Sequence, residues 1–215
     1  MQIVDWLDMI PLLKRKHFKM MKEIVKFLNS TAIPICTKHR DGRINSEEDE
    51  TTIIKILQDE YGKENIIEGP PRHWWDVKIF GDVVNIKSSK FKTADNFSSK
   101  GAVLYSLTDM TEEEIIKVKS WPDFQEAVKK GKYKDNNRDY YCTVLNKTTN
   151  EVLLQGLKTL TKLTPNGNNL LFQINWSNNK EIIERLHKEA YDFLIDAYKE
   201  SVRKKVGIHE GYETL

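Results

Sequence analysis

A chain of 215 residues, 31% of them charged and with a formal net charge of only +2, is long enough for one substantial core and reads as a single domain, 1–215. That near-neutral balance excludes an overall polybasic coat, so any nucleic-acid surface must come from local clustering. No apolar run approaches a membrane span; Cys36 and Cys142 lie outside any CxxC, and His17, His39, His73, His187 and His209 show no zinc-ligand spacing, which together predict a soluble, cytoplasmic protein without disulfides, membrane contact or small-molecule cofactor.

In chain order, residues 5–29 carry helical periodicity, with Pro11 as a break or kink, and 31–45 read as loop. Ser46 followed three residues later by Asp49 has the form of a capping box, and Gly62 is a C-terminal stop, which predicts a helix over 46–61. Ile53, Ile54 and Leu57 form its buried stripe, and Glu50 projects from the amino-terminal end of that stripe. Glu47, one turn earlier, is the reserve for Glu50. Acidic residues in a first helical turn are otherwise explained by the helix dipole. A short strand is expected near Ile66-Ile67, then a Gly69-Pro70-Pro71 turn.

The segment Trp74–Ser89 reads as two strands around a Gly81-Asp82 turn, with Gly81 supplying the positive φ of a type II′ hairpin. That register sets Phe80 against Val83, Lys78 against Asn85 and Asp76 against Lys87. Trp75, Val77, Ile79, Val84 and Ile86 then share a core face, and Asp76, Lys78, Asn85 and Lys87 share the other. A carboxylate, an amide and two lysines gathered on a buried hairpin are costly unless they bind something charged.

Downstream, 92–107 reads as loop then helix. Thr111–Val118 and Trp121–Lys130 are short helices, and 139–145 with 151–154 form a second hairpin. Leu170–Trp176 is a further strand, and 178–206 a long amphipathic helix with Ile182, Leu186, Ala190, Phe193, Leu194 and Ala197 inward.

Asp76, a turn, then Asn85-Ile86-Lys87 resembles the PD-(D/E)xK signature of type II restriction endonucleases. Trp75 stands where that family has Pro and Asn85 where it has Asp or Glu, which removes one negative charge, although an amide oxygen still coordinates Mg²⁺. The resemblance implies an α/β fold, a central mixed β-sheet flanked by helices in the order αβββαβ. It also implies an acidic residue from the preceding helix, here Glu50. Asp76, Glu50, the Asn85 oxygen and the Ile86 carbonyl are the implied Mg²⁺ ligands, with Lys87 beside the attacking water. The implied activity is sequence-specific hydrolysis of double-stranded DNA to 5′-phosphate and 3′-hydroxyl ends by a homodimer. The helices 5–29 and 178–206 are dimerisation or flanking elements, and Trp6 and Leu7 fit such an interface or, equally, packing within the monomer.

Candidate DNA contacts are Lys78, the run Ser88, Ser89, Lys90, Lys92 and Asn96 after the second strand, and Asn166, Asn168, Asn169 and Gln173, whose amides match adenine edges. A Pro-Asn-Gly-Asn-Asn stretch is equally an ordinary turn. The clusters Lys14-Arg15-Lys16, Lys129-Lys130 with Lys132 and Lys134, and Arg203-Lys204-Lys205 are phosphate contacts or solvated faces. Two other readings stand: a structure-directed nuclease of the same fold, such as a junction resolvase or repair endonuclease, and a non-catalytic DNA-binding protein with a decayed site.

Overall fold

A computed structural model describes residues 10–132 and 136–205, with side chains from residue 19 onward. The elements are α1 (Ile10–Ser30), α2 (Gly42–Tyr61), β1 (Ile66–Glu68), β2 (Val77–Ile79), β3 (Asp82–Ser89), β4 (Ala94–Phe97), α3 (Lys100–Leu107), α4 (Glu112–Ile115), α5 (Trp121–Gly131), β5 (Tyr141–Asn146), β6 (Val152–Gly156), β7 (Phe172–Asn175) and α6 (His187–Arg203). Five strands form a mixed sheet in the order β1-β2-β3-β5-β6, antiparallel throughout except for the parallel β3/β5 pair. The predicted α/β class with a mixed sheet between helices is therefore observed.

The alternation of the strands splits the core into two layers. Val77, Ile79, Val84, Ile86, Leu145, Val152 and Leu154 face α1 and α2, meeting Met21, Ile24, Leu28, Ile53, Ile54 and Leu57. Val83, Cys142 and Val144 face the other way, into a larger cluster with α3, α5 and α6. Each fully buried aliphatic side chain here contributes about 1.5–3 kcal/mol, which is why neither layer needs a disulfide; Cys36 and Cys142 are both free. No helix among the described residues is long and apolar enough to cross a membrane.

Several elements differ from the sequence expectation. The hairpin pairs Val77 with Val84 and Ile79 with Asp82, so the turn is Phe80-Gly81 rather than Gly81-Asp82. Both turn residues have positive φ, 49° and 89°, the requirement of a type I′ turn. Phe80 tolerates this because its N–H bonds to the Asn65 carbonyl at 2.8 Å and its ring packs edge-on against Tyr61. Continuing that register sets Asp76 beside Asn85, not Lys87. The chain bends ahead of Asp76, which sends Trp75 into the opposite layer, where its indole N–H donates to Glu112.

α2 begins at Gly42, capped by the Asp41 side chain on the Arg43 N–H at 2.8 Å, so Ser46 is interior and bonds back to the Gly42 carbonyl. The four acidic residues therefore lie beyond the first turn, outside the strongest reach of the helix dipole. The stretch before α3 contains β4, which pairs with β7 in a separate two-stranded sheet. α6 starts at His187 rather than 178. The backbone before it is held elsewhere: Gln155 bonds the carbonyls of Asn179 and Glu181, and the Ile183 N–H bonds the Thr159 carbonyl. Ile182 and Leu186 are consequently 36% and 74% exposed instead of inward. The expected helix at 5–9, with Trp6 and Leu7, and residue 206 lie outside the described residues. The apolar face of α6 packs inside this chain through Tyr191, Leu194, Ile195 and Tyr198.

Candidate active site

β3 outruns β2. Past Val84 the edge of β3 that β2 would cover lies open, and the N–H groups of Ile86 and Ser88 need other acceptors. Asp76 Oδ2 takes the first at 2.8 Å. The second draws on the Glu50 carboxylate, because α2 lies across β3 with Ile53, Ile54 and Leu57 buried and brings Glu50 near enough to the strand edge for the Ser88 N–H to favour its charged form. The two carboxylates thus serve N–H positions two residues apart, about 7 Å along the strand: Asp76 is bonded to the first and Glu50 is drawn towards the second. Lys87 lies between those positions, half-buried, and its charge acts on both.

The electrostatics are those of a strand edge with an excess of carboxylate. Burial, then repulsion from Asp76, pushes the Glu50 carboxyl up to about 7, against the pull of Lys87 and the Ser88 N–H. Burial also pushes Asp76 up, opposed by the Ile86 N–H and Lys87. Two carboxylates against one ammonium leave a net negative charge, which a hard divalent cation with oxygen ligands neutralises. The donor set therefore fits Mg²⁺. The Ile86 carbonyl lies on the same strand edge as its N–H and adds a further oxygen.

Asn85 is held by Tyr140. The Tyr140 hydroxyl lies 2.9 Å from the Trp74 carbonyl and 3.2 Å from Asn85 Oδ1, and the Asn85 amide nitrogen lies 3.4 Å from the Ile86 carbonyl. A phenol has one proton for two acceptors. Turning the amide over lets its NH₂ donate to Tyr140 and brings its oxygen beside the Ile86 carbonyl. Without a cation that sets two oxygens against each other; with one it adds a ligand.

A pH prediction follows from Glu50. A carboxyl raised to about 7 in the fold keeps its proton where the unfolded chain has released it, so stability falls as pH rises from about 4.5 to about 7 and is flat beyond. Asp76 and Asp139 are also raised by burial and act in the same direction, so a variant must isolate Glu50. In metal-free buffer Glu50→Gln is expected to exceed wild type in urea midpoint at pH 8 and to match it near pH 4.5. Parallel pH profiles for the two proteins would contradict this.

The remaining candidates divide. Asn96 Oδ1 accepts from Gln173 at 2.9 Å and Asn166 at 3.1 Å, so three predicted base readers converge on the β4/β7 sheet. Asn168 and Asn169 are exposed in the loop beside them, and Lys90 and Lys92 are exposed between β3 and β4. Lys78 pairs with Glu112 at 2.6 Å and lies over the Trp75 ring. Ser89 donates to Asp95 at 2.9 Å. Ser88 is buried, its hydroxyl donating to Asp49 at 2.6 Å, which turns it away from any ligand on the open side. Glu47 is exposed and only reinforces the field on Glu50. Among the basic clusters, Arg203 pairs with Glu200 and Lys130 with Glu126, while Lys134 and the side chains of Lys14, Arg15 and Lys16 lie outside the described residues.

A cleft of about 450 Å³ opens from Asn85 and Lys87. Arg72, Lys100 and Lys119 join Lys87 in its wall, and no carboxylate of the described residues lines it. Sequence reading missed these three, because each is an isolated cation rather than part of a run.

No protein-family model, curated protein or solved structure matches this chain.

Proposed function

We propose that this chain is a Mg²⁺-dependent, sequence-specific endodeoxyribonuclease of the type II restriction class, acting on double-stranded DNA in the cytoplasm as a homodimer. The observation that carries the reading is the pair of carboxylates at the open edge of β3, Asp76 bonded to the Ile86 N–H and Glu50 within electrostatic reach of Asp76, Lys87 and the Ser88 N–H. The run α2-β1-β2-β3, followed by α3 and then a β5 parallel to β3, supports it too once the inserted β4 of the separate sheet and the short α4 and α5 are set aside, since αβββαβ is the order that the PD-(D/E)xK resemblance implies.

Bound Mg²⁺ supplies polarisation of a phosphate oxygen and a more acidic water. Asp76, Glu50 and the Ile86 carbonyl would hold it, and Asn85 would add its oxygen with its amide turned over. Lys87 orients the attacking water and offsets the negative charge that develops on the phosphate. In-line attack leaves a 5′-phosphate and a 3′-hydroxyl. The cations of the cleft hold the phosphate backbone, and Asn96, Asn166 and Gln173 present amides to base edges. A palindromic target pairs with a two-fold dimer that places one site on each strand.

The four cations of the cleft also favour a second reading, a structure-directed nuclease, because shape-directed binding relies on phosphate contacts. Digestion of a long unmethylated DNA of known sequence, with Mg²⁺ and with chelator, separates the two. Discrete metal-dependent bands support the restriction reading, and a metal-dependent smear supports the structure-directed one. DNA left intact under every condition overturns both and leaves a non-catalytic binding protein.

A further inference from the structure

A second group of ligating side chains lies on the outer side of α2. Asn45 and Asp49, both buried, fasten the segment before the helix: the Cys36 N–H bonds Asp49 at 2.6 Å, the His39 N–H bonds Asn45 Oδ1 at 2.9 Å, and the Asn45 amide donates to the His39 carbonyl at 2.7 Å. This anchoring brings Cys36 and His39, in a C-x₂-H spacing that the sequence reading passed over, against Glu48 one turn into the helix from Asn45. Cys36 Sγ lies 3.0 Å from Glu48 Oε2, and His39 Nε2 lies 2.7 Å from Glu48 Oε1. One donor atom from each of the three lies within 4.8 Å of the others.

We propose that Cys36, His39 and Glu48 bind a zinc-class transition-metal ion, with water in the fourth position. Tetrahedral zinc has ligands at about 2.0–2.3 Å, which sets donor atoms roughly 3.3–3.7 Å apart. The present separations are those of hydrogen bonds, and side-chain rotation alone opens them by the required half ångström or so. On binding, the Cys36 thiol gives up the proton it now donates to Glu48, and that proton leaves to solvent; His39 coordinates through its neutral Nε2. Thiolate and carboxylate together neutralise the ion. Lys38, 3.7 Å from Glu48, has a side chain 79% exposed and swings clear into water.

Thiolate and imidazole select zinc or cobalt over Mg²⁺, so this site is chemically distinct from the oxygen-only set of Glu50 and Asp76. Its bound ion clips the segment 36–39 to α2 two residues from Glu50. The inference is independent of the nuclease reading and stands or falls without it.

The test is titration of chelator-stripped, full-length protein with Co²⁺, followed by absorption spectroscopy. One equivalent is expected to give visible tetrahedral bands and a near-ultraviolet thiolate-to-cobalt charge-transfer band, both displaced by Zn²⁺. Cys36→Ser, in which the hydroxyl keeps a donor towards Glu48, loses the charge-transfer band. His39→Ala and Glu48→Gln weaken binding by more than about tenfold, while Asp76→Asn leaves the band unchanged. A wild-type protein without the thiolate band, or a Cys36→Ser variant that retains it, overturns the proposal and reduces the three residues to a hydrogen-bonded cluster.

Discussion

Replacing Lys87 by alanine is expected to slow Mg²⁺-dependent DNA cleavage by about 10²- to 10³-fold with the fold intact. Lys87 is half-buried on β3 and draws both carboxylates towards their charged forms. In the proposed reaction its removal takes away the charge beside the phosphate, and it also lets the Glu50 carboxyl rise above about 7. Cleavage should consequently fall at every pH, and the acidic limb of the pH–rate profile should move to higher pH. Lys87→Arg separates these two effects. It keeps the charge, and so the position of the limb, but replaces a compact ammonium by a planar fork that does not orient one water in the same way. Single-turnover rates measured across the pH range check both statements. A Lys87→Ala protein with wild-type rate would remove Lys87 from the chemistry.

Asp49→Ala is expected to destabilise the protein by about 3–5 kcal/mol, the largest loss from any single polar side chain discussed here. Asp49 has no exposed surface, and its two oxygens accept from the Ser88 hydroxyl at 2.6 Å and the Cys36 N–H at 2.6 Å, with the Lys147 ammonium at 3.5 Å. Lys147, itself largely buried, also donates to Ser46 at 2.8 Å. Truncation strands a buried hydroxyl and a backbone N–H, and it takes the counter-charge from the Lys147 ammonium, which keeps its bond to Ser46. Asp49→Asn retains an acceptor oxygen and should lose less. Urea unfolding of the three proteins tests the ranking, and an Asp49→Ala midpoint equal to wild type would contradict it. The same network ties α2 to β3, so loosening it also loosens the seat of Glu50.

The hairpin shows why the candidate site was legible when its register was not. Moving the turn from Gly81-Asp82 to Phe80-Gly81 shifts the pairing by two residues, and a shift of two leaves the side chains of the paired residues on their own faces, Trp75 ahead of the bend excepted. Asn85 and Lys87 therefore stay on the polar side, and Asp76 still reaches β3, even though its opposite number changes. The buried stripe of α2 likewise turns Glu50 towards the sheet, where it comes near Asp76, Lys87 and Ser88.

Other features depend on partners distant in sequence. Ser46-x-x-Asp49 has the form of a cap, but Asp49 is taken by Ser88, thirty-nine positions away. A left-handed phenylalanine at 80 becomes acceptable only against Tyr61 and Asn65. The apolar spacing of Ile182 and Leu186 continues that of α6, yet Gln155 and Thr159 hold the intervening backbone out of the helix. The cleft cations Arg72, Lys100 and Lys119 belong to three separate segments that only the tertiary fold joins.

The measurement that bears most directly on the cation site proposed at Glu50 and Asp76 is equilibrium binding of Mn²⁺, followed by electron paramagnetic resonance and competed with Mg²⁺. Wild type is predicted to hold one Mg²⁺-competable ion per chain, bound more tightly as pH rises to about 7 and evenly above it. The Glu50→Gln, Asp76→Asn double variant should lose that ion. Binding that is unchanged in the double variant, or indifferent to pH across that interval, would contradict the assignment.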